Sequence, residues 1–499
     1  MKKIFLYTLS TVLIWGVAGC KKPSDFGSTN VDQSTTTVPI PAALLTNVEL
    51  NLPLYASTQL EAINGAQYSQ YYAETQYPAV SLYSLPQYAF IGEYSGILYD
   101  LQNIINLSPS NSMVAAATVL QQYIFWHITD AWGDVPYSQA LKGLAYTNPA
   151  YDTQQSIYTS MLASLTAAEA KFDGSALSGD VIYGGDVTKW KKLTNTLRML
   201  MSLQLSKKMP TASDFAATQF KAALADAGGS ITSNADNFAL TYPAGSYKDP
   251  LYNLYDGRSD YAESKTMTDL LASLSDARST VYGGAFNDPN NVAGGTVSSN
   301  TGIPPGGDRT STVIFTTANP NWAMVLRADK RTPTSTLTMI SASESLLARA
   351  QAISIGWGTT DNYAGTYAPG IVASFQQWGL ADPTATYLNG VGGGVGQTPT
   401  FQQLIQQRYL ASYPDGFMGW DIYRLTTTTR DGTAGSGSVF TQNPLNIKPG
   451  TGATNNPKLI VSRFTYTAAE YSTNGANATA AAARYTGGDK QDSRVWWDQ

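Results

Sequence analysis

Cysteine and histidine are almost absent from this chain, since its 499 residues contain one of each, Cys20 and His127. One histidine and one cysteine cannot supply the three or four ligands of a zinc site or form an internal disulfide. A chain of this size without disulfides has to rely on burial of its core. The sequence therefore excludes thiolate chemistry and metal catalysis by histidine clusters, and we expect no cofactor.

Charged residues are also scarce, at 13% of the chain, and the net charge is −5. No stripe of Lys and Arg runs along the sequence, so a nucleic-acid partner is not expected. The polar surface has to come from uncharged side chains, among them 31 tyrosines. With 43% hydrophobic residues, the chain has enough apolar surface for one large domain or for two to three small ones.

The first 19 residues have the features of a bacterial lipoprotein signal peptide. Two lysines precede an apolar run at 4–17, which is shorter than the roughly 20 residues of a typical membrane-spanning helix. Small residues then lead to Cys20 in the series Val17-Ala18-Gly19-Cys20, which resembles a lipobox. We expect lipid on Cys20 and a polar tether over residues 20–41. The alternative is an ordinary secretory signal with a chance cysteine.

Apolar residues recur with a helical period over much of the chain, which predicts a mainly α-helical fold. Consecutive antiparallel helices joined by short turns indicate a superhelical, repeat-like scaffold. The predicted helices are 94–105, 113–130, 153–172, 187–208, 214–226, 265–274, 343–355, 371–378 and 401–412.

Two long segments, 283–321 and 431–457, are rich in Gly, Asn, Pro and Ser and break the helical pattern. Loops of this length are usually binding surfaces or disordered. Short strands are predicted at 238–242, 312–315 and 459–464, so we expect minor β structure. No change of composition marks a second domain, and residues 42–499 are predicted to form a single domain.

The stretch Trp126–Ala140 is the one that most resembles an active site. It is predicted to be the last turn of a helix, a stop at Gly133 and an extended segment. His127 is either a general base or a buried structural histidine, and we favour the second because no nucleophile motif accompanies it. Asp130 and Asp134 are either the carboxylate pair of a glycoside hydrolase or groups that cap a helix or turn, and capping is favoured.

Six tyrosines lie between Tyr68 and Tyr88, interleaved with glutamines. Aromatic rings stack on the apolar faces of sugars, and amide side chains satisfy sugar hydroxyls, so such a segment suits carbohydrate or peptide binding. The alternative is that these rings pack against the helices. The candidate ligand-binding residues are Tyr72, Tyr77, Tyr83 and, at the end of the first long loop, Trp322.

Two pairs of opposite charges within apolar segments are interpreted as buried ion pairs. The first is Glu344 with Arg349, and the second is Asp276 with Arg278.

Several stretches, in order along nearly the whole chain, resemble the SusD/RagB family of Bacteroidota surface lipoproteins. Two positions depart from the family pattern: Ala277 stands where a proline is usual, and Ala350-Gln351-Ala352 replaces Ala-Glu-Ala. The matching stretches are Asp25-Phe26-Gly27, Thr129-Asp130-Ala131-Trp132-Gly133-Asp134-Val135-Pro136-Tyr137, Trp190-Lys191-Lys192-Leu193-Thr194-Asn195-Thr196-Leu197-Arg198, Leu274 to Arg278, Gln407-Arg408-Tyr409-Leu410 with Trp420 and Arg424, Arg463-Phe464-Thr465-Tyr466 with Glu470, and Arg494-Val495-Trp496-Trp497-Asp498.

The resemblance implies tetratricopeptide-like helix pairs with long decorating loops, and a lipid anchor on the outer face of the outer membrane. It also implies a lid on a SusC-like TonB-dependent transporter, to which the protein delivers an oligosaccharide or a peptide, and no enzymatic activity. The family provides no ligand-site motif, so no binding residue is transferred. Two other hypotheses remain open: a surface glycoside hydrolase, and a helical-repeat scaffold that binds only protein partners.

Overall fold

α-Helices carry most of the fold in the computed structural model, which describes residues 38–85, 87–435 and 439–499. The predicted signal peptide, Cys20 and the tether up to residue 37 lie outside the described residues. The α-helices are α1 (Pro41–Asn51), α2 (Leu60–Tyr68), α3 (Ile91–Ser95), α4 (Ile97–Leu107), α5 (Asn111–Trp132), α6 (Gln154–Lys171), α7 (Val187–Gln204), α8 (Phe215–Leu224), α9 (Pro250–Asn253), α10 (Lys265–Leu274), α11 (Ser279–Tyr282), α12 (Arg309–Ala318), α13 (Ala342–Ser354), α14 (Tyr363–Gln377), α15 (Ala385–Gly390), α16 (Phe401–Ser412), α17 (Gly416–Thr426), α18 (Ala468–Thr473) and α19 (Gly475–Ala482).

The β structure of the described residues consists of four two-stranded antiparallel pairs: β1 with β5, β2 with β3, β4 with β8, and β6 with β7. Each pair connects segments that are distant in sequence, except for the short β2–β3 pair. The strands are β1 (Tyr72–Glu74), β2 (Val135–Pro136), β3 (Tyr151–Asp152), β4 (Phe238–Thr241), β5 (Tyr261–Glu263), β6 (Gly283–Ala285), β7 (Ala323–Val325) and β8 (Thr336–Ile340).

Side-chain caps fix where several helices begin. The Ser110 hydroxyl accepts a hydrogen bond from the Met113 amide at 3.2 Å and starts α5, and the Asp186 carboxylate accepts from the Thr188 amide at 2.9 Å and starts α7. Successive helices α5, α6, α7 and α8 then pack against their neighbours in the chain, and α13 packs against α14. The predicted mainly helical, tetratricopeptide-like fold is confirmed.

The core includes α5, which is buried along most of its length, and α17, whose residues are all buried. Helix α17 meets α2 at two glycines: a Cβ atom on Gly65 would lie only 2.6 Å from the backbone oxygen of Gly416. The sequence analysis missed α17 because its two glycines, Gly416 and Gly419, disfavour a helix. Tertiary packing overrides this local preference, because only glycine allows the two backbones to approach so closely.

Several predicted elements differ from the structure. The predicted helix 94–105 is divided at Gly96 between α3 and α4. The predicted strand 312–315 is wrong, because these residues lie in α12, whose first turn is capped by Asp308 accepting from the Ser311 amide at 2.8 Å. The predicted strand 459–464 is also wrong, since no strand forms there. The predicted helix 371–378 begins earlier, at Tyr363; Pro369 lies inside it and interrupts the sequence pattern.

One of the two predicted ion pairs is correct. Arg278 donates to Asp276 at 2.6 Å, and both side chains are buried. The predicted pair of Glu344 with Arg349 is wrong: Arg349 pairs with Asp361 at 2.5 Å. Glu344 instead forms a capping box with Ser341 at the start of α13, because its place three residues after the cap puts its carboxylate next to the Ser341 amide.

Among the described residues, no helix combines the length and the apolar character needed to cross a membrane. Residues Pro41–Gln499 form one compact unit.

The Glu61 carboxylate in α2 makes stability depend on pH. It is buried, neither of its oxygens has a hydrogen-bond partner, and burial raises its pKa to about 7. A raised pKa favours the protonated form in the folded state, so the stabilisation is complete below pH 4.5 and is lost as the pH rises through 7. Glu61→Gln should therefore raise the free energy of unfolding by on the order of 2 kcal/mol at pH 8 and have little effect at pH 5.

Denaturant unfolding of both proteins at the two pH values measures this difference. Asp269→Asn is the control, because the Asp269 side chain is 62% exposed and its substitution should act alike at both pH values. An effect of Glu61→Gln on the free energy of unfolding that does not change with pH would contradict a raised pKa of the buried Glu61 carboxyl.

Candidate functional site

The Trp126–Ala140 stretch is a buried junction. Asp130, near the end of α5, has no exposed surface, and its carboxylate accepts hydrogen bonds from the Tyr158 hydroxyl at 2.7 Å and from the Trp497 indole at 2.8 Å. Its backbone oxygen accepts from Arg424 at 2.7 Å. Burial, followed by the neighbouring Asp421, raises the pKa of Asp130.

The Asp134 carboxylate also has a structural role. One of its oxygens accepts from the Gln154 amide at the first residue of α6, at 2.7 Å, and the other pairs with Arg484. Burial raises its pKa as well. Asp130 and Asp134 were the carboxylate candidates of the hydrolase hypothesis, and both are buried, with 0% and 5% of their surface exposed. These two residues therefore do not form a hydrolase pair.

His127 is a buried structural residue, as favoured. Its ring stacks on Phe417 with a centroid distance of 3.7 Å and an interplanar angle of 19°. Burial lowers the pKa of His127, so the imidazole stays neutral, and its Nδ1 atom has no hydrogen-bond partner. A ring enclosed in this way cannot exchange protons with a substrate.

Arginines from the C-terminal part of the chain complete the junction. Arg463 donates to the Trp132 backbone oxygen at 3.1 Å, and its guanidinium lies 4.1 Å from the centroid of the Tyr485 ring. Arg424 lies 3.7 Å from the centroid of the Trp420 ring. Three of the stretches that carry the family resemblance, those with Trp132, Arg424 and Arg463, are thus in contact with one another.

Three of the four candidate ligand-binding residues are buried. The Tyr72 hydroxyl donates to the Pro414 backbone oxygen at 3.2 Å, and Tyr83 packs edge-on against Tyr68 at 5.9 Å. Trp322 stacks on Phe286 at 4.5 Å. In this structure these rings belong to the core, because tertiary contacts cover their large apolar faces, and a ligand cannot reach them. Tyr77 differs, as 66% of it is exposed.

Tyr77 lies among charged side chains on a surface that we call the Tyr77 surface: Tyr77, Arg258, Asp260 and Arg309. The Arg258 guanidinium lies 5.9 Å from the centroid of the Tyr77 ring and pairs with Asp260. Arg309, at the start of α12, donates to the Thr75 backbone oxygen at 2.6 Å. An exposed ring beside a guanidinium and a carboxylate can stack on a sugar face and hydrogen-bond its hydroxyls.

Backbone pairing brings this surface together. Strand β1 pairs with β5, and beyond its end the Thr75 amide donates to the Asp260 backbone oxygen at 2.8 Å. Arg258, Asp260 and Arg309 are not predictable from the sequence, because their proximity to Tyr77 depends on this long-range pairing. The nearest local signal is the charged turn Asp256-Gly257-Arg258-Ser259-Asp260 before Tyr261.

An apolar helix face adjoins the surface. Helix α12 continues from Arg309 and leaves Val313 and Ile314 largely uncovered, with Ile314 66% exposed. Thr312 is the residue that α12 buries.

Helix pairs that carry long loops define a tetratricopeptide-like helical-repeat protein in class. The SusD-like family, described as starch-binding and associating with the outer membrane, matches residues 32–467. The chain belongs to this family.

Solved structures with the same fold include two SusD homologues and a further chitin-binding protein. A chitin-binding protein shares 23% identity and a TM-score of 0.70 over 92% of this chain and 100% of its own. A chitin-binding SusD homologue from Flavobacterium johnsoniae shares 21% identity and a TM-score of 0.73, covering 92% and 98%. A SusD homologue from Bacteroides fragilis shares 20% identity and a TM-score of 0.73, covering 92% and 100%. No curated protein matches the sequence.

Gly133 tests the structural role of the junction. It has a φ of +83°, and a Cβ atom there would collide with the Tyr485 hydroxyl, so Gly133→Ala should lower the free energy of unfolding by about 3 kcal/mol or more. Gly143→Ala is the matched control: its φ is +57°, but no atom lies within 4 Å of an added Cβ, so only backbone strain of about 1–2 kcal/mol applies. Equal losses in denaturant unfolding would show that the contact with Tyr485 is unimportant.

Proposed function

We propose that this protein is a cell-surface nutrient-binding lipoprotein that binds an oligosaccharide, or a peptide, at the Tyr77 surface. The observation that carries the proposal is the exposed Tyr77 ring beside Arg258 in a SusD-like fold. The Arg258–Asp260 pair offers both donors and acceptors to hydroxyl groups. Two solved structures of the same fold are described as chitin-binding, which supports a glycan as the ligand.

The proposed anchor is a lipid on Cys20, which holds the protein on the outer face of the outer membrane through the tether 20–41. The lipobox-like series before Cys20 supports this, together with the outer-membrane association in the family description. A lipid anchor raises the local concentration of the binding surface at any transporter in the same membrane.

The proposed partner is a SusC-like TonB-dependent transporter, which the protein covers as a lid. Val313 and Ile314 support this idea, because their exposed apolar side chains lie next to the Tyr77 surface on α12 and would be covered by a large partner. Closure against the transporter would then trap the ligand between the two proteins.

A scaffold that binds only proteins is the second hypothesis, and the burial of most of the 68–88 tyrosines favours it in part. A measurement of glycan binding distinguishes the nutrient-binding lipoprotein from the scaffold that binds only proteins.

Substitution of Tyr77 tests the binding surface. In titrations of the mature lipoprotein with chitin and starch oligosaccharides, Tyr77→Ala should weaken binding about 10-fold, because it removes the stacking face, worth roughly 1.4 kcal/mol. Tyr247→Ala is the control, since Tyr247 is also exposed, at 47%, and lies on a turn of the 243–248 segment. Binding that Tyr77→Ala leaves unchanged would contradict the assigned surface, and absence of binding to every glycan and peptide tested would favour the scaffold.

Substitution of the lipid acceptor tests the anchor. Cys20→Ser should leave the protein outside the membrane fraction, because the hydroxyl cannot form the thioether that carries the lipid. Immunoblots of membrane and soluble fractions measure this. A Cys20→Ser protein that still sediments with the outer membrane would show that the anchor lies elsewhere.

A further inference from the structure

A cavity of about 680 Å³ shares no residue with the Tyr77 surface. Its lining residues lie within 362–368, 385–389 and 392–397, so the start of α14, helix α15 and the segment after α15 form its walls. Its volume lies within the roughly 300–1,000 Å³ of small-molecule sites. We call it the α14–α15 pocket.

Apolar side chains and small residues form the walls of the α14–α15 pocket. Tyr363 and Leu388 are half-buried, and Ala364, Ala385 and Val395 are exposed. Among the described residues that line the pocket, none is charged. A charged ligand would lose its hydration here without gaining a partner of opposite charge, so the lining favours a neutral one.

Hydrogen bonds fix the segment after α15 in place. The buried Tyr367 hydroxyl donates to the Val391 backbone oxygen at 2.8 Å and connects this segment to α14. The chain then turns back, and the Gln397 backbone amide donates to the Gly394 backbone oxygen at 3.0 Å. Gly396 occupies the third position of this turn with a φ of +74°, which glycine adopts at little cost. The pocket is therefore formed before any ligand binds.

The same turn holds an apolar side chain at the rim of the pocket. Val395 is the second residue of the turn, lines the pocket and is fully exposed, at 106%. Because the turn is closed by hydrogen bonds, Val395 stays in contact with water. A ligand that displaces this water covers apolar surface without first having to order a loop, which favours its binding.

Two amide side chains at the rim indicate what the polar part of the ligand has to be. Asn362 and Gln397 are exposed. The Asn362 amide oxygen accepts from the Gly365 backbone amide at 2.9 Å, and the Gln397 amide oxygen accepts from the Gly394 backbone amide at 2.8 Å. These oxygens are used within the protein, so the two NH₂ groups are the parts that can donate to a ligand. The ligand should therefore carry acceptor oxygens, such as hydroxyl or ether groups, beside its apolar part.

The Tyr363 ring is the aromatic surface that the pocket presents to a ligand. Tyr367, one helical turn further along α14, is fully buried and supports the wall from behind. An aromatic ring in the ligand gains from edge-to-face or offset stacking on Tyr363, in addition to the burial of its area. The pocket therefore favours an aromatic ring over a saturated one of the same size.

We propose that the α14–α15 pocket binds a small neutral molecule that joins an aromatic ring to hydroxyl groups, as in an aryl glycoside. The ring lies between Tyr363 and Leu388 and is covered at the rim by Val395. The hydroxyl-bearing part stays at the mouth, where its oxygens accept hydrogen bonds from Asn362 and Gln397. This site acts independently of the Tyr77 surface.

Three β-glucosides that differ only in the group attached to the sugar test this: phenyl, cyclohexyl and methyl. The mature lipoprotein is titrated calorimetrically in phosphatidylcholine vesicles, because detergent chains compete for an apolar pocket, and protein-free vesicles are the blank. We expect phenyl glucoside to bind at least about 10-fold more tightly than methyl glucoside, because its ring is buried, and about 3-fold more tightly than cyclohexyl glucoside, because its ring stacks. Equal affinity for the phenyl and methyl glucosides would overturn the proposal, and cyclohexyl glucoside binding as tightly as phenyl glucoside would overturn the aromatic assignment.

Filling the cavity assigns the preference to the pocket. Ala364→Leu and Ala385→Leu place larger side chains at exposed lining positions, so each variant should fold and bind phenyl glucoside about 10-fold more weakly. Ala167→Leu is the matched control, because Ala167 is an exposed alanine on α6 that does not line the pocket. Phenyl glucoside binding that both lining variants leave unchanged would refute the assigned site.

Replacing the tyrosine ring separates stacking from simple burial. Tyr363→Leu keeps an apolar wall, so phenyl glucoside should still bind more tightly than methyl glucoside but no more tightly than cyclohexyl glucoside. Tyr146→Leu is the control, since Tyr146 is 43% exposed and lies outside the pocket. A preference for phenyl over cyclohexyl that persists in Tyr363→Leu would contradict the role of this ring.

The same titrations in a Tyr77→Ala background keep this inference separate from the proposed glycan surface. The preference for phenyl over methyl glucoside should be unaffected by Tyr77→Ala. Loss of the preference in that background would place the aromatic ring at the Tyr77 surface and would overturn the proposal.

Discussion

The buried contact between Asp130 and the C-terminal part of the chain is the constraint on which the rest of the structure depends. Arg424 donates from one nitrogen to the Asp130 and Ser462 backbone oxygens, at 2.7 and 2.8 Å, and pairs with Asp421. The Asp130 carboxylate in turn accepts a hydrogen bond from the indole of Trp497, two residues from the end of the chain. Removing one member would leave a charge or a donor unpaired in the interior, which costs more than the net gain from a surface pair. The first helices and the last residues must therefore assemble together.

This constraint explains why the stretch that most resembles an active site is structural. Aromatic rings, a histidine and aspartates within a short segment are what catalysis requires, but they are also what a polar junction inside a helical core requires. Burial distinguishes the two cases. Asp130 and His127 have almost no exposed surface, and their pKa values shift toward the neutral forms. A catalytic group has to reach its substrate, whereas a junction has to exclude water.

Local signals in the sequence predicted nine of the nineteen helices in the described residues, because caps and apolar periods act over a few residues. Helix 265–274 and helix 401–412 have the predicted boundaries. The errors arise where contacts between segments that are distant in sequence determine the local structure. Helix α17 forms despite its glycines because α2 lies against Gly416, and α12 forms in a β-branched segment that the sequence analysis interpreted as a strand. The burial of three of the four binding candidates has the same origin, since exposure of Tyr77 and burial of Tyr72 depend on which segment covers each ring.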